Sequence, residues 1–481
     1  QVLTSNGAGS APTFQTASSG GATDIDGLSD GVTNSSGATV GLGTDALAND
    51  DGTANNNTAL GYKAGEANTS GEWNVFVGHE AGKSVTTGYA TVAVGKGALP
   101  AVTTGNDNIG IGAQTGNAIT TGGQNIMTGS YAGLSLTTGN NNIFTGYFAG
   151  RNATTARYSI GIGASALRNG TMTGDDNIGI GQNAGYNMST GNGNSLIGYK
   201  AGEDLTTGVL NTFVGYSSGL NATTAGGNTG IGRETFGSGV LTGHSNSAMG
   251  REAAKSLTSG VYNTCVGPFA GSGATTADNS IAVGLRALGW WASGSTLTGN
   301  ENIGIGTDSG AVLTSGADNT IVGSGAGNTL TTGSNNTVLG HDAAASSATV
   351  SNEITLGDTN ITKFRVPGLN FIIKDSKATD NYVLTVDANG EAGWEAAAGG
   401  GATDINGLSD ALTNSSGRTV GLGTGALAND DGSTNDNTAL GYNALNDITT
   451  GQRSTAIGYN AGDSLTTVLD STIIGYEAGQ T

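Results

Sequence analysis

The chain has 481 residues and a formal net charge of −20, with 37 acidic residues against 17 basic ones. Glycine contributes 87 residues, whereas aromatic residues make up 5% of the chain and charged residues 11%. This composition is typical of a low-diversity fibrous chain rather than of an enzyme with several globular domains. The acidic balance argues against nucleic acid and against a membrane as partners.

Residues 1–36 precede any repeat, and a close relative of their text returns at residues 382–416. Val2 corresponds to Val383, and Gly20 corresponds to Gly400. The chain is therefore a super-repeat of about 380 residues followed by the start of its second copy. We interpret residues 1–36 as a linker or neck end, and because the chain begins with Gln1 we expect it to be a segment of a longer protein.

Residues 37–360 repeat a motif whose fixed point is a glycine, as in the text NSLIGYKAGEDLTTGVL around Gly198. Successive anchor glycines are 17 or 18 residues apart, except for one step of 22, and we count 23 anchors in the chain. A period this short and regular predicts a solenoid. The anchors that we name as structural turn residues are Gly112, Gly163, Gly181, Gly198 and Gly232.

The residues before each anchor alternate with a period of two, which predicts a β-strand. The residue directly before the anchor is almost always aliphatic, and we assign it to the core; our examples are Ile111, Ile162, Ile180, Ile197 and Ile231. The residue before that one varies between glycine and large apolar side chains, so we assign it to the outer face. Its large members, a candidate oligomer interface, include Phe76, Phe144, Leu196 and Phe213.

Asparagine stands four residues before the anchor in 15 of the 23 repeats. Stacked one coil above another, these side chains are expected to form a hydrogen-bonded amide ladder. Small residues and a further glycine after the anchor predict a tight corner. A second short strand and a polar turn are expected to complete the coil of 17 residues.

The sequence therefore predicts an all-β fold, a parallel β-solenoid or β-roll. Its glycine content and the lack of a 3.6-residue pattern exclude long helices. At ~4.8 Å per coil, the 18 steps between Gly43 and Gly357 would make a rod of roughly 85 Å. Large apolar residues on an outer face indicate packing against other copies, and the alternative is a monomeric solenoid with scattered surface apolar residues.

One coil is interrupted between Gly284 and Gly306, where five residues are added and Trp290 and Trp291 occur. An insertion is tolerated at a turn, since an extra residue within a strand would reverse every following side chain. Two adjacent tryptophans in a protruding loop are candidate receptor or glycan contacts. The alternative is that the pair folds back over a coil as a packing clasp.

Residues 361–398 differ in character from the repeats and contain alternating apolar residues, Pro367 and an Ala-Asn-Gly turn signal. They predict two or three hairpin-forming strands, a β-neck between rods. Residues 399–416 form a Gly-rich linker on composition. The repeats then resume at 417–481, the start of a second rod.

The strand text N(S/T)xxxGxxAG resembles the head repeats of trimeric autotransporter adhesins, which form left-handed parallel β-rolls assembled as trimers. The linker texts QVLTSNGAGSAPTF, YVLTVDANGEAGW and ITKFRVPG are similar to those of bacteriophage tail fibres, especially those of marine and cyanobacterial viruses. These resemblances together cover nearly all of the chain. They imply a homotrimeric fibre on the virion that contacts other tail proteins and binds a host surface glycan or protein.

The alternative function is a bacterial surface adhesin or extracellular filament, located at the cell surface. A third, less favoured, is a polysaccharide-cleaving spike enzyme, which would need paired carboxylates in a groove. We predict no enzyme activity, no catalytic or metal-binding residues and no cofactor. Acidic pairs such as Asp50 with Asp51 and Asp430 with Asp431 lie in polar turns, and we interpret them as solvated, with calcium as the alternative.

Overall fold

The computed structural model describes residues 2–4, 13–15, 31–33, 38–53, 55–289, 296–363, 382–386, 392–396, 411–413, 418–431, 433 and 435–480. The chain divides into two compact units, Gln1–Phe364 and Arg365–Thr481. Every regular secondary-structure element in the described ranges is a β-strand, which confirms the predicted all-β fold class.

Within its described residues, the first unit contains twenty-two short strands. They are β1 Val2–Thr4, β2 Thr13–Gln15, β3 Gly31–Thr33, β4 Val40–Leu42, β5 Thr58–Leu60, β6 Val75–Val77, β7 Val92–Val94, β8 Ile109–Ile111, β9 Ile126–Thr128, β10 Ile143–Thr145, β11 Ile160–Ile162, β12 Ile178–Ile180, β13 Ser195–Ile197, β14 Thr212–Val214, β15 Thr229–Ile231, β16 Ser247–Met249, β17 Thr264–Val266, β18 Ile281–Val283, β19 Ile303–Ile305, β20 Thr320–Val322, β21 Thr337–Leu339 and β22 Ile354–Leu356.

Strands β4 to β22 form one parallel sheet in which each strand pairs with the next in the chain. Equivalent residues lie opposite each other, as in Ile143 with Ile126 on one side and Ile160 on the other. Each coil of the chain thus contributes one strand and returns to the same place one step further along. The predicted parallel β-solenoid is confirmed.

The sheet is open, and β3 covers its first edge by pairing antiparallel with β4. Residues 31–33 fall within the segment that the sequence analysis described as a linker, so this strand was not foreseen. An unpaired edge strand invites association with other chains, and a reversed strand is one way to cover it. Strands β1 and β2 form a separate antiparallel pair.

The step of 22 residues leaves the sheet undisturbed. Strands β18 and β19, on either side of the insertion, pair in the same register as all the others, with Ile281 opposite Ile303. Leu288, four residues after the anchor, is buried like its equivalents in other coils. The strands on either side of the insertion therefore keep the pairing of the stack.

The anchor glycines occupy backbone conformations that other residues rarely adopt. The five that we named have φ between 125° and 136°. A Cβ atom built on Gly232 would lie 2.5 Å from the carbonyl oxygen of Gly250, the next anchor. Both the positive φ and the close stacking of successive backbones require glycine at this position.

The two faces of the strand are the reverse of those predicted from the sequence, so that prediction was wrong. The supposed interface residues Phe76, Phe144, Leu196 and Phe213 have no exposed surface within the single chain. The supposed core residues Ile111, Ile162, Ile197 and Ile231 are 37–42% exposed, and Ile180 is partly exposed. The middle residue of each strand points into the coil, and its two neighbours point outward.

The coil interior accepts these large side chains because the corner that follows the strand provides space. A Cβ atom on Gly82 or on Gly219 would overlap the ring of Phe76 or of Phe213, respectively. Where the middle residue is Gly110, Gly179 or Gly304, a leucine at the corner of the preceding coil occupies the space. Large side chains of the strand and of the corner therefore compensate for each other between neighbouring coils.

Three pairs of neighbouring coils show this compensation directly. A Cβ atom on Gly110 would lie 2.7 Å from Cγ of Leu99, one on Gly179 would lie 2.9 Å from Cγ of Leu167, and one on Gly304 would lie 2.6 Å from Cγ of Leu288. All three leucines are buried.

The predicted amide ladder is present and buried. Asn211 accepts a bond from the backbone N–H of Asn228 at its Oδ1 (3.1 Å) and donates from Nδ2 to Oδ1 of Asn194 (3.0 Å) and to the carbonyl of Ala225 (2.8 Å). Most other rungs repeat these contacts. Serine or threonine replaces asparagine at Thr39, Thr91, Ser159, Ser280, Thr419 and Ser454, all of them buried.

The predicted second strand of the coil is not formed. The segment after the corner consists of turns, and its described residues show only isolated bridges, such as Ala153 with Met172. Coils are still joined there by backbone hydrogen bonds, for example from Thr206 N–H to the carbonyl of Thr223 (3.0 Å). The backbone N–H and carbonyl groups of this segment form hydrogen bonds with the next coil, although the segment consists of turns and not of extended strands.

The second unit contains β23 Tyr382–Val386, β24 Ala392–Ala396, β25 Ala411–Thr413, β26 Val420–Leu422, β27 Thr438–Leu440, β28 Thr455–Ile457 and β29 Thr472–Ile474. Strands β23 and β24 form an antiparallel pair within the predicted neck. Strands β26 to β29 form a second parallel stack, and β25 pairs antiparallel with β26 just as β3 does with β4. The predicted Gly-rich linker 399–416 thus contains a covering strand.

Candidate functional site

The outer face of the long sheet carries a continuous row of aliphatic side chains, which we call the aliphatic strip. It consists of the first and third residues of strands β6 to β22. The third residues, directly before the anchors, are Val77, Val94, Ile111, Thr128, Thr145, Ile162, Ile180, Ile197, Val214, Ile231, Met249, Val266, Val283, Ile305, Val322, Leu339 and Leu356. The first residues include Val75, Val92, Ile109, Ile126, Ile143, Ile160, Ile178, Ile281, Ile303 and Ile354, and are serine or threonine elsewhere.

The strip is large for a surface left in water. At ~4.8 Å per coil and a width of roughly 10 Å, it covers on the order of 800 Å². Contiguous apolar patches on monomeric soluble proteins rarely exceed a few hundred Å². The area is comparable to what each partner contributes to a stable protein interface. Oligomerisation through an apolar face of the first strand was thus a reasonable prediction, but these residues, not Phe76 and its equivalents, form the exposed face.

A partly exposed column of aromatic residues follows the anchors in several coils, directly beyond the strip in the chain. The rings of Tyr199 and Tyr216 stack with centroids 5.1 Å apart. In the second unit Tyr442, Tyr459 and Tyr476 stack with successive centroids 5.2 Å apart. This column was not predicted, although the recurring Gly-Tyr dipeptide at the anchor was a signal for it.

Trp290 and Trp291 lie outside the described residues. Their proposed contact with a receptor or glycan, and the alternative packing clasp, therefore both stay predictions.

The acidic pairs are held by their own turns. Asp51 accepts bonds from the Thr53 hydroxyl (2.7 Å), the Thr53 N–H (3.0 Å) and Asn55 Nδ2 (3.2 Å). These bonds, led by the Thr53 hydroxyl, hold the pKa of Asp51 below its usual value. Asp431 has an equivalent turn in the second unit, where Ser433 provides the hydroxyl and the pKa of Asp431 is likewise lowered. Hydrogen bonding favours the ionised carboxylate in both turns.

The part of the chain that the structure describes contains no group of three or more His, Cys, Asp or Glu side chains placed to hold a metal ion. The three histidines belong to different coils. His79 packs against Tyr62, His244 packs against Tyr262, and His341 lies beside Asp342.

Cys265 is the middle residue of β17 and is 4% exposed. Burial raises the pKa of its thiol to about 12. Since the thiolate is the reactive form, we expect a thiol reagent at neutral pH to leave Cys265 unmodified in the folded protein. The measurement is colorimetric thiol titration, and the same reagent in denaturing guanidinium should label one thiol per chain. Rapid labelling under native conditions would show that this coil opens readily.

No protein-family model matches the chain, and no curated protein and no solved structure shows significant similarity to it. Among the described residues there is no helix with the length and apolar character needed to cross a membrane.

Proposed function

We propose that the chain is the structural rod of a homotrimeric virus tail fibre that adheres to the surface of a host bacterium. The observation that carries this proposal is the aliphatic strip, which runs along strands β6 to β22 of the first unit. A single chain would leave the strip in water, whereas packing against copies of itself buries it along its full length.

The arrangement of the coil also supports a structural role. Buried apolar side chains fill the interior along the stack, the amide ladder satisfies its polar groups, and the sheet continues without a break across nineteen parallel strands from β4 to β22. Stability in such a stack comes from contacts between neighbouring coils, so length can be extended simply by adding repeats. The second parallel stack in the other unit follows the same plan.

The number of copies and the viral location come from the resemblance to adhesin heads and tail fibres. Light scattering on the purified chain should give three times the mass of one chain. Antibodies raised against residues 38–363 should label fibres that project from virus particles and should block adsorption to host cells. Labelling of bacterial surfaces without particles would instead favour the surface adhesin.

Lysine substitutions in the strip test whether it is the contact between copies. We expect the double substitution Ile197→Lys and Ile231→Lys to dissociate the trimer, because it would bring two lysines per chain into a dry interface. Each isoleucine is exposed in the single chain, so the circular dichroism spectrum of the coils should remain that of the parent. Light scattering or sedimentation then reports the mass.

The matched control is Leu210→Lys with Val240→Lys. These residues are 69% and 57% exposed and are not part of the strip. The control should keep the parent mass. An unchanged mass for the strip variant would show that the strip is not the contact between copies.

A further inference from the structure

Residues 108–174 contain no aspartate, no glutamate and no lysine, but three arginines. At the average density of 37 acidic residues in 481, about five would be expected in a stretch of this length. The coils anchored at Gly112, Gly129, Gly146 and Gly163 thus form a cationic region in a chain with a net charge of −20.

Two of the arginines occupy a position where other coils have internal ion pairs. The second and fifth residues after the anchor, which we call the corner pair, meet on the surface of the coil. Nζ of Lys83 lies 2.8 Å from a carboxylate oxygen of Glu80, and Nζ of Lys255 lies 2.9 Å from a carboxylate oxygen of Glu252. Where the fifth residue is a lysine, therefore, a glutamate neutralises it.

Arg151 and Arg168 have the same position but different partners. Their corner-pair residues are Phe148 and Ser165, neither of them acidic. No ion pair among the described residues involves either arginine. The third arginine, Arg157, pairs with Asp175 at 3.1 Å.

Aromatic rings hold the two guanidinium groups in place. Cζ of Arg168 lies 4.3 Å from the centroid of the Phe148 ring, and Cζ of Arg151 lies 5.1 Å from it. Tyr147 and Tyr131 pack on the same ring, with centroids at 3.9 Å and 5.2 Å. A guanidinium stacked on a ring keeps its N–H bonds in its own plane, where they remain available to an acceptor.

The protein leaves much of this donor capacity unused. Arg168 donates from Nη1 to the Ser165 hydroxyl at 3.3 Å. Nε of Arg151 is buried and has no hydrogen-bond partner, so an acceptor outside the coil would meet this guanidinium through its terminal nitrogens. Two fixed guanidinium groups without carboxylates, beside a tyrosine that is 53% exposed, are suited to an anionic ligand that also has a flat face.

We propose that Arg151 and Arg168, with Tyr131, Tyr147 and Phe148, bind carboxylated sugars of an acidic polysaccharide. A uronic acid combines a carboxylate, which a guanidinium binds with two parallel hydrogen bonds, with a pyranose ring that can lie against Tyr147. A polynucleotide offers similar groups, but it is charged at every residue and would be repelled by the acidic coils on either side. The proposal names the ligand class for the adhesive role and in that sense rests on the proposed function.

The test uses the assembled protein and immobilised hyaluronan, in which a uronic acid alternates with a neutral sugar, and carboxyl-reduced hyaluronan is the neutral counterpart. We expect binding to the acidic polymer alone, weakened by salt. The double substitution Arg151→Gln and Arg168→Gln should weaken binding by about tenfold or more, since it removes two charge-assisted contacts. Lys83→Gln with Lys255→Gln removes two cations that the chain already neutralises and should leave binding unchanged.

Equal binding of the neutral polymer, or full binding by the arginine variant, would overturn the proposal. So would a lowered melting temperature of that variant with unchanged binding, since the arginines would then be a packing contact between coils. Tighter, arginine-dependent binding of single-stranded DNA would replace the polysaccharide with nucleic acid. Antibody labelling of virus particles is independent of all these results, so failure of this site is distinguishable from failure of the fibre role.

Discussion

Replacement of Asn211 by leucine should destabilise the solenoid by about 2–6 kcal/mol, since it leaves two buried polar groups without partners. These are the backbone N–H of Asn228 and the carbonyl of Ala225, which Asn211 now bonds at 3.1 Å and 2.8 Å. Leucine is similar in size to asparagine, so the loss reflects hydrogen bonds more than a cavity. Thermal unfolding followed by circular dichroism measures the effect.

The chain provides its own control for this experiment. Serine occupies the equivalent position at Ser280, where its hydroxyl still accepts a bond from the N–H of Asn302 at 3.2 Å. Asn211→Ser should therefore retain one of the two bonds and lose less stability than Asn211→Leu. If the two variants melt together at the parent temperature, the amide ladder does not contribute to stability.

Gly232→Ala should destabilise the same region by about 3 kcal/mol or more. Its φ of 136° is unfavourable for any residue with a Cβ atom, and such strain costs on the order of 1–3 kcal/mol. The new methyl group would also meet the backbone of Gly250, which cannot move without shifting the next coil. A fall in melting temperature of roughly 5 °C or more is expected.

Gly226, six residues earlier in the same coil, is the matched control. A Cβ atom there would meet its nearest neighbour, the carbonyl oxygen of Val209, at 3.5 Å, an ordinary contact. Gly226→Ala should melt within about a degree of the parent. If Gly232→Ala behaves like Gly226→Ala, the anchor glycines are not required by the stacking of coils.

Features that repeat identically in every coil could be predicted from the sequence. The anchor glycine recurs because each one stacks on the next, and the asparagine recurs because each rung bonds the next. Such contacts join equivalent residues, so the period itself reveals them. The covering strands β3 and β25 were missed because each occurs once at the start of a stack and has only three residues.

The candidate sites depended on contacts that the period does not reveal. Phe213 and Gly110 occupy the same strand position, and this variation was interpreted as a sign of an outer face. In the structure the variation is compensated in the coil interior, by Gly219 beside Phe213 in the same coil and by Leu99 of the preceding coil beside Gly110. Arg151 and Arg168 were likewise inconspicuous in the sequence, because their missing partners become apparent only beside the ion pairs of other coils.

The sequence by itself determined the period, the all-β parallel stack, the anchor glycines and the amide ladder, since each follows from one residue type repeated at one spacing. Only the tertiary structure decided which strand face is the core. A strand of three residues alternates equally well in either orientation, and both faces here are apolar. The corner after the strand settles the choice, because its glycines leave space on the inner side for the middle residue, and Ile197, Ile231 and their equivalents are then turned outward.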